Sequence, residues 1–460
     1  MTQQQTFEES IKEFIEETRK MLGKETTESL PPGMPSPYDQ KGPPYEHAVR
    51  FDSRAIRLYA LAFGDDNPIF TDPKYGKKTK YGSQIAPNPI LTTTRGITAH
   101  GAQGGEAGKK RPGGYPVANF HAGNAWEFYD VIRVGSKFST SMVTKDMLQK
   151  PGSRGDLILL ISELHYWDEH GDLKAKCYGT LIQFPISTMG TSRQMSVERL
   201  GEKLLYDRGV HKYEPDAVAK IIKDMESHKR RGSKTLYWED VNVGDTVGPL
   251  VIPPWTLQDY GAPRIVTEAS HGSDHAPGDE MAFEMKFRQN KGKRGGAGGG
   301  GAATHPVTRW PWGPADEHED ALMAAYRGQS APFDGGAQRA QILQRMLTDW
   351  MGDDGFIRRE QVAMRKPIYY GDTIYYTGTV EKKFIETQTG DDKPGGVPGT
   401  QKYYAVGIRY EGKNQAGEVA APGTACVYLP SREGGSVKLP VPHPARPPFV
   451  PYETYYRNWF

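Results

Sequence analysis

Residues 364–384, MRKPIYYGDTIYYTGTVEKKF, contain the pattern on which the fold prediction depends. A strand signal is followed by a glycine at a turn (Gly371) and then by a longer strand signal, and residues 128–147, FYDVIRVGSKFSTSMVTKDM, repeat this order around Gly135. A second pair of segments, 164–185 and 408–430, shares a charged turn, a Gly-Thr pair and a closing strand that ends in proline. Self-similarity of this kind predicts two copies of one structural unit.

Helix signals precede the strands in both copies. Residues 335–351, GGAQRAQILQRMLTDWM, are the strongest case, because their apolar side chains recur at helical spacing. Residues 51–63, FDSRAIRLYALAF, predict a second helix that Asp52 or Ser53 can cap. Helices followed by antiparallel strands predict two α+β units.

The 460 residues are too many for one ordinary core, so several domains are expected. A proline-rich stretch, a polar helical stretch and an aromatic tail mark the boundaries. The predicted division is an N-terminal helix and strap (1–45), a first unit (46–190), a helical linker (191–235), a second unit with a glycine-rich insertion (236–432) and an extended tail (433–460).

Composition excludes several classes of protein. The net charge of +2 argues against a dedicated nucleic-acid binder. Two cysteines, Cys177 and Cys426, give neither a disulfide framework nor a cysteine-rich metal site. The acidic N-terminus does not resemble a secretory signal, and no apolar run reaches the roughly 18 residues of a spanning helix. We therefore expect a cytoplasmic protein without nucleic-acid or membrane partners.

The segment FGDDNPIFTDPKYG (63–76) resembles the MaoC-like hydratase motif Gly-Asp-x-Asn-Pro-Ile/Leu-His-x-Asp. The strings GSQIAPNPIL (82–91) and GNAWEFYDVIRVGSKF (123–138) are similar to the N-terminal half of double hot-dog dehydratases, and WEDVNVGD (238–245) to the C-terminal half. The likeness covers roughly residues 45–190 and 236–432. On this resemblance the chain is identified as a member of the MaoC-like / FAS1-like dehydratase family, which implies a tandem (double) hot-dog fold in which each long helix is wrapped by an antiparallel sheet.

The resemblance also implies an activity: reversible hydration of a trans-2-enoyl thioester to a 3-hydroxyacyl thioester. Such chemistry needs a base within reach of a water molecule and donors aimed at the thioester carbonyl, where negative charge develops. The N-terminus of the central helix can supply those donors. The implied substrate is an acyl-CoA or acyl-carrier thioester, with no cofactor, and the implied assembly is a homo-oligomer, such as a dimer.

The first motif departs from the family pattern. The position of the family's histidine is Phe70, which can neither take nor give a proton, so the N-terminal half is not expected to catalyse alone. Asp65, Asn67 and Phe70 become candidate substrate-binding residues. For Asp65 a structural role is the favoured interpretation, as a helix cap or in a buried hydrogen bond.

The second half contains HEDALMAAYRG (318–328), similar to the family run that continues from its catalytic histidine. His318 is therefore the candidate base, against the alternative of an ordinary surface or capping histidine. The family's aspartate position falls on Gly313, so Asp316 or Asp320 would have to assist.

Two further features complete the candidate site, and one histidine is interpreted as lying outside it. Asp274 lies in the cluster ASHGSDHAPGDE (269–280), whose histidines and aspartate could alternatively hold a metal, although three ligands at that spacing are a weak signal and no metal is predicted. Gly335 or Gly336 opens the long helix where the family places its thioester-facing turn. His121, beside a glycine, is interpreted as a packing residue.

Two other functions stay open. Phe70 and Gly313 favour a non-catalytic acyl-binding subunit that completes a heteromeric dehydratase. A thioesterase would need a carboxylate on or near the central helix, where Asp349 is the obvious candidate.

Overall fold

The structure is a computed structural model that describes residues 7–29, 51–94, 117–152, 155–185, 210–261, 307, 316–326 and 329–460. Within these residues the main feature is an antiparallel sheet of ten strands. Two short strands, β2 Ile85–Ala86 and β4 Ile132–Arg133, pair only with each other. The ten strands of the large sheet are β1 Glu25–Ser29, β3 Val117–Phe128, β5 Phe138–Gly152, β6 Gly155–Asp168, β7 Leu173–Pro185, β8 Thr246–Ile252, β9 Phe356–Ala363, β10 Ile374–Gly390, β11 Gly399–Asn414 and β12 Val419–Leu429.

The strand order of the large sheet confirms the internal repeat. It runs β1-β5-β6-β7-β3-β9-β12-β11-β10-β8, so each half of the sheet has the same order of equivalent strands, mirrored about the middle. The predicted turn glycines Gly135, Gly171, Gly371 and Gly417 all have positive φ, between 76° and 92°. Glycine adopts this backbone conformation without the steric cost that a Cβ would bring.

The two halves meet where β3 pairs with β9. The register runs from Gly123 opposite Ala363 to Glu127 opposite Arg359, and it makes one continuous sheet of the two repeats. A Cβ at Gly123 would lie 2.6 Å from the carbonyl oxygen of Val362, so the close approach at this junction requires glycine. The two repeats therefore pair through their sheets within one chain.

The helices within the described residues surround this sheet. They are α1 Phe7–Arg19, α2 Ser53–Ala62, α3 Pro68–Thr71, α4 Pro73–Gly76, α5 Pro215–Ser227, α6 Ala321–Tyr326, α7 Gly336–Met351 and α8 Tyr452–Asn458. The long helix α7 buries Leu343, Met346 and Leu347 in a core that also contains Trp126 of β3 and Ile56 of α2. The predicted helix 335–351 is therefore confirmed, and the predicted helix 51–63 forms with Asp52 as its cap: Asp52 Oδ1 accepts from Ala55 N–H at 2.8 Å.

Only the second half shows its long helix within the described residues. In the first half a 3-10 turn, Asn88–Thr93, occupies the chain before residue 95, and residues 95–116 lie outside the described part. Helix α1 spans Phe7–Arg19, which agrees with the helix predicted at the start of the 1–45 segment. In the predicted linker, the described residues begin at 210 and contain α5, which agrees with the helical prediction.

The C-terminal tail covers the outer face of the sheet. Tyr455 stacks on Tyr178 with ring centroids 5.4 Å apart, and its hydroxyl lies 3.0 Å from Thr180 Oγ1. The tail is predicted to be extended, but Tyr452–Asn458 is helical, because two helical turns bring Tyr452, Tyr455 and the C-cap Trp459 onto the same apolar surface. Among helices of the described residues, none has the length and apolar character needed to cross a bilayer.

Candidate active site

His318 ends a 3-10 turn, Asp316–His318, and its ring is half-buried between two aromatic side chains. It stacks on Tyr260 with centroids 5.0 Å apart and lies 4.3 Å from the centroid of Phe333. Its Nδ1 is 2.8 Å from the carbonyl oxygen of Phe333. The imidazole is therefore held by two rings and one hydrogen bond.

The hydrogen bond to Phe333 decides which nitrogen of His318 can act as a base. A carbonyl oxygen only accepts, so Nδ1 must carry the proton in this contact. In the neutral ring Nε2 then has the lone pair. An imidazole oriented in this way can take a proton at Nε2.

The N-terminus of α7 lies beside this ring. Gly335 is the N-cap residue, and a Cβ placed on it would be 3.3 Å from Cε2 of Tyr260, the residue that stacks on His318. Gln338 Oε1 accepts from Gly335 N–H at 3.2 Å, which fixes the first turn. The first N–H groups of a helix have no acceptor within the helix, and they carry the positive end of its dipole.

Gly336 is packed too closely for any side chain. A Cβ there would overlap the Met364 sulfur and would lie 3.1 Å from Nδ1 of His121. His121 belongs to β3 of the first half, so both halves contribute to the surroundings of the helix start. Burial lowers the pKa of His121 to about 4, which keeps its ring neutral at pH 7.

An ion pair anchors the same turn of α7. Arg339 Nε and Nη2 donate to the two carboxylate oxygens of Asp334, each at 2.7 Å, and Ile368 N–H donates to Asp334 Oδ1 at 3.0 Å. Both side chains are buried. A bidentate ion pair of this geometry holds the start of α7 in a defined orientation. Backbone N–H groups at the helix start can point at a bound oxygen atom only if that orientation is fixed.

The predicted acidic partners of His318 have different locations. Asp320 Oδ1 accepts from Leu322 N–H at 2.8 Å, at the start of α6. Asp316 begins the 3-10 turn, and its side chain is outside the described part of the structure. Asp274 and the cluster 269–280 also lie outside the described residues. Among the described residues, no group of three or more His, Cys, Asp or Glu side chains could hold a metal ion.

The residues of the first motif lie at the opposite end of α7. Asp65 Oδ1 accepts from Asn67 N–H at 3.0 Å, and Asn67 Oδ1 accepts from Ile69 N–H at 3.2 Å, so both carboxylate and amide organise the local turn. Phe70 is 3% exposed and belongs to the main core. Asn67 and Phe70 also line a cavity of about 40 Å³, together with Gln344 of α7.

A partly buried ionic cluster connects this motif to the end of α7. Arg230 donates to Asp66 and Asp349, each at 2.6 Å, and Asp349 is also 2.7 Å from Nε2 of His228. Burial, followed by the like charge of Asp349, raises the pKa of Asp65 to about 6. Asp349, the candidate for a thioesterase, is therefore bound to two basic side chains.

Sequence reasoning missed Tyr260 and Phe333, and it interpreted His121 as a packing residue. The spacing along the chain gives no sign of them, since Tyr260 is 58 residues before His318 and His121 is on the other repeat. A weak signal existed for Phe333, because it lies two residues before the predicted helix start at Gly335.

Comparison with known proteins agrees with this architecture. A solved structure named MaoC-like dehydratase is 12% identical and matches 90% of this chain and 99% of its own, with a TM-score of 0.53. A putative MaoC domain protein dehydratase from Chloroflexus aurantiacus (10% identity, 89% and 96% covered) and a MaoC-like dehydratase from Phytophthora capsici (12%, 91% and 99%) have TM-scores of 0.46 and 0.45. No curated protein sequence matches the chain.

These observations define the class: the protein has a double hot-dog fold, α+β, with the antiparallel sheet wrapped on the helix. Residues 46–175 match the family described as "FAS1-like, dehydratase domain region". This family match lies in the first hot-dog unit, whereas the fold shared with the MaoC-like dehydratase structure extends over both units.

Proposed function

We propose that the protein is an acyl-thioester hydratase/dehydratase that interconverts trans-2-enoyl and 3-hydroxyacyl thioesters, with CoA as the carrier, and that His318 is its general base. The observation that carries this proposal is the orientation of the His318 ring. Its Nδ1 donates a hydrogen bond to the Phe333 carbonyl oxygen. Tyr260, which stacks on the His318 ring, lies against Gly335 at the start of α7. A base and a set of N–H donors thus occur at one place.

In the hydration direction, Nε2 of His318 takes a proton from water while the water oxygen bonds to C3 of the enoyl group. The electron pair of the C2–C3 double bond shifts towards the thioester, and the resulting negative charge on the thioester oxygen is stabilised by the N–H group of Gly336 at the start of α7. The enolate then collapses and C2 takes a proton from the His318 imidazolium. The sum adds one water molecule, and the base is regenerated.

The candidates for a carboxylate that assists the His318 imidazole in proton transfer are Asp316, Asp320 and Asp274. The family's second catalytic position is Gly313, so one of these carboxylates would have to act from a different place in the chain. Asp320, two residues after His318 in the chain, accepts through Oδ1 from Leu322 N–H at the start of α6.

The test is hydration of crotonyl-CoA and longer enoyl-CoA substrates, followed as loss of enoyl absorbance. We expect His318→Ala to lower turnover at least ~100-fold, as for loss of a general base. His170→Ala, which removes an exposed histidine in the β6–β7 turn, is the matched control and should keep full activity. His318→Gln and thermal unfolding of each variant separate a lost base from a lost fold. Turnover within a few-fold of the parent in His318→Gln would remove this residue from the mechanism.

A second candidate function, a non-catalytic acyl-binding subunit, is favoured by Phe70. In the first half this phenylalanine occupies the histidine position and is part of the core. Acyl-CoA binding without any hydration in the same assay would support it. Release of free CoA would instead support a thioesterase, which the ion pairs of Asp349 disfavour. A homodimer and a cytoplasmic location stay predictions, the first of which light scattering can check.

A further inference from the structure

Four buried polar side chains lie between α7 and the sheet. We call them the buried polar cluster: Asn124, Gln341, Gln344 and Glu360. Each is at most 2% exposed. Across the described residues, Asn124 Oδ1, both side-chain polar atoms of Gln341, Gln344 Nε2 and both carboxylate oxygens of Glu360 have no hydrogen-bond partner. Most buried polar atoms in proteins do have one, so this concentration requires an explanation.

The four side chains lie on the facing surfaces of α7 and the sheet. Gln341 and Gln344 are three residues apart on α7 and so lie on the same side of the helix. On the sheet, Asn124 is opposite Val362 and Trp126 is opposite Glu360. Residues that alternate along a strand share a face, and Trp126 packs into the core with α7, so Asn124 and Glu360 point towards the helix.

The cluster continues away from the candidate active site. With a helical rise of 1.5 Å per residue, Gln341 is about 7.5 Å and Gln344 about 12 Å along α7 from Gly336, where the thioester is expected. Gln344 also lines the cavity next to Phe70. The polar atoms therefore follow the path that an acyl chain would take from the helix start towards the first motif.

The chemistry of the cluster is that of neutral hydrogen-bonding groups. Burial raises the pKa of Glu360 to about 8, so its carboxyl is mostly protonated at pH 7, and the Gln344 amide that faces it only partly opposes this rise. Three amides and a protonated carboxyl offer both donors and acceptors, and none of the four adds a positive charge. Such a set suits a hydroxyl group better than a carboxylate, which would need a cation.

We propose that the buried polar cluster binds a hydroxyl substituent on the acyl chain, several carbons beyond the thioester, and so selects hydroxylated acyl-CoA over plain alkyl acyl-CoA. This inference rests on the proposed function for the position of the thioester. A plain alkyl chain would leave the cluster's donors and acceptors unpaired, and a site built to bond a hydroxyl rejects the analogue that lacks it.

The experiment measures binding, which does not depend on turnover. Octanoyl-CoA and ω-hydroxyoctanoyl-CoA are titrated into the full chain by calorimetry. We expect the hydroxylated ligand to bind at least ~10-fold more tightly. In Gln341→Leu/Gln344→Leu this preference should disappear. Gln361→Leu is the matched control, because Gln361 is a buried glutamine one residue from Glu360 and points to the other face of the sheet; it should keep the preference.

Equal binding of the two ligands by the parent protein, or no binding of either, would overturn this inference, and so would a preference that survives the double substitution. Glu360→Gln keeps hydrogen-bonding capacity and provides a second variant if the double variant does not fold; it should keep the preference, whereas Glu360→Leu should reduce it. Hydration of crotonyl-CoA is measured on the same samples. Loss of hydration with an intact ligand preference would contradict the proposed function alone, and hydration without preference would contradict this inference alone.

Discussion

His228 bonds to Asp349 through Nε2, 2.7 Å from Oδ2, and this contact ties the linker to the last turn of α7. The other ring nitrogen, Nδ1, is 3.0 Å from the carbonyl oxygen of Pro249. Both neighbours are acceptors, so the doubly protonated imidazolium satisfies both contacts. The Asp349 hydrogen bond is the main cause that raises the pKa of His228 above its usual 6.5.

Because the pKa of His228 is raised in the folded state, the protonated ring stabilises the folded protein at low pH. The contribution is fully present below the unfolded pKa of about 6.5 and is lost as the pH rises through the folded value. His228→Gln should therefore lower the free energy of unfolding by about 1–2 kcal/mol near pH 5.5, and by less near pH 8.5. Urea denaturation at both pH values measures it, with His170→Gln as the exposed control. A loss that is independent of pH would show that the imidazolium is not the stabilising form.

For Asp65 too, stability should fall as the pH rises, and here the cause is the burial of its carboxyl near another carboxylate. Its pKa is raised from 3.8 to about 6, so folding favours the protonated form and stability falls as the pH rises between these values. Asp65→Asn keeps an acceptor for Asn67 N–H and removes the charge. We expect it to stabilise the protein by about 1–3 kcal/mol near pH 8 and by much less near pH 4.

The same variant tests the role of Asp65. A structural residue predicts hydration activity within a few-fold of the parent, whereas a loss comparable to that of His318→Ala would place Asp65 in the catalytic machinery. Asp66→Asn is the comparison, since Asp66 shares the Arg230 contact but is exposed, and its own effect on stability should be small.

Phe70 gives a prediction about the unused motif of the first half. Because its ring is buried in the core, Phe70→Ala should cost about 3–5 kcal/mol of stability. Phe70→Leu should cost less because more of the volume is kept. Thermal unfolding measures both, and crotonyl-CoA hydration should persist in the folded Phe70→Leu variant. Abolished hydration with an intact fold would mean that Phe70 shapes the reacting centre.

The sequence predicts the fold to the extent that its signals are local or repeated. The helix 335–351, the positive-φ glycines such as Gly171 and the repeated strand pairs all follow from periodicity and turn chemistry. The pairing of β3 with β9 does not, since strand periodicity is the same whichever neighbour a strand takes. Among the described residues the tail also differs from the prediction, because contact with Tyr178 and Thr180 stabilises a helix that its proline-rich surroundings do not predict.

The candidate site was predictable only in part for the same reason. His318 could be proposed from a motif, but its tautomer depends on the Phe333 carbonyl, a contact that the fold creates. The approach of His121 to Gly336 joins the two repeats and has no signal in either segment alone. The buried polar cluster likewise brings together residues from β3, α7 and β9, and each of them is an unremarkable residue in its own stretch of sequence.

Gly336 provides the most direct test of the helix start as the thioester site. Gly336→Ala places a methyl group against the Met364 sulfur and near His121, so the first turn of α7 must shift. We expect a loss of about 1–3 kcal/mol of stability from overpacking. We also expect a fall in crotonyl-CoA hydration, because N–H donors act only when they are aimed at the oxygen. Gly261→Ala, where a Cβ meets nothing within 4 Å, is the matched control and should change neither quantity. In Gly335→Ala the methyl group would lie 3.3 Å from Tyr260 and 3.6 Å from Gln338, so this variant should fall between the two. If Gly336→Ala loses stability but retains full turnover, the thioester does not bind at this turn, and the placement of the acyl chain along α7 has to be abandoned with it.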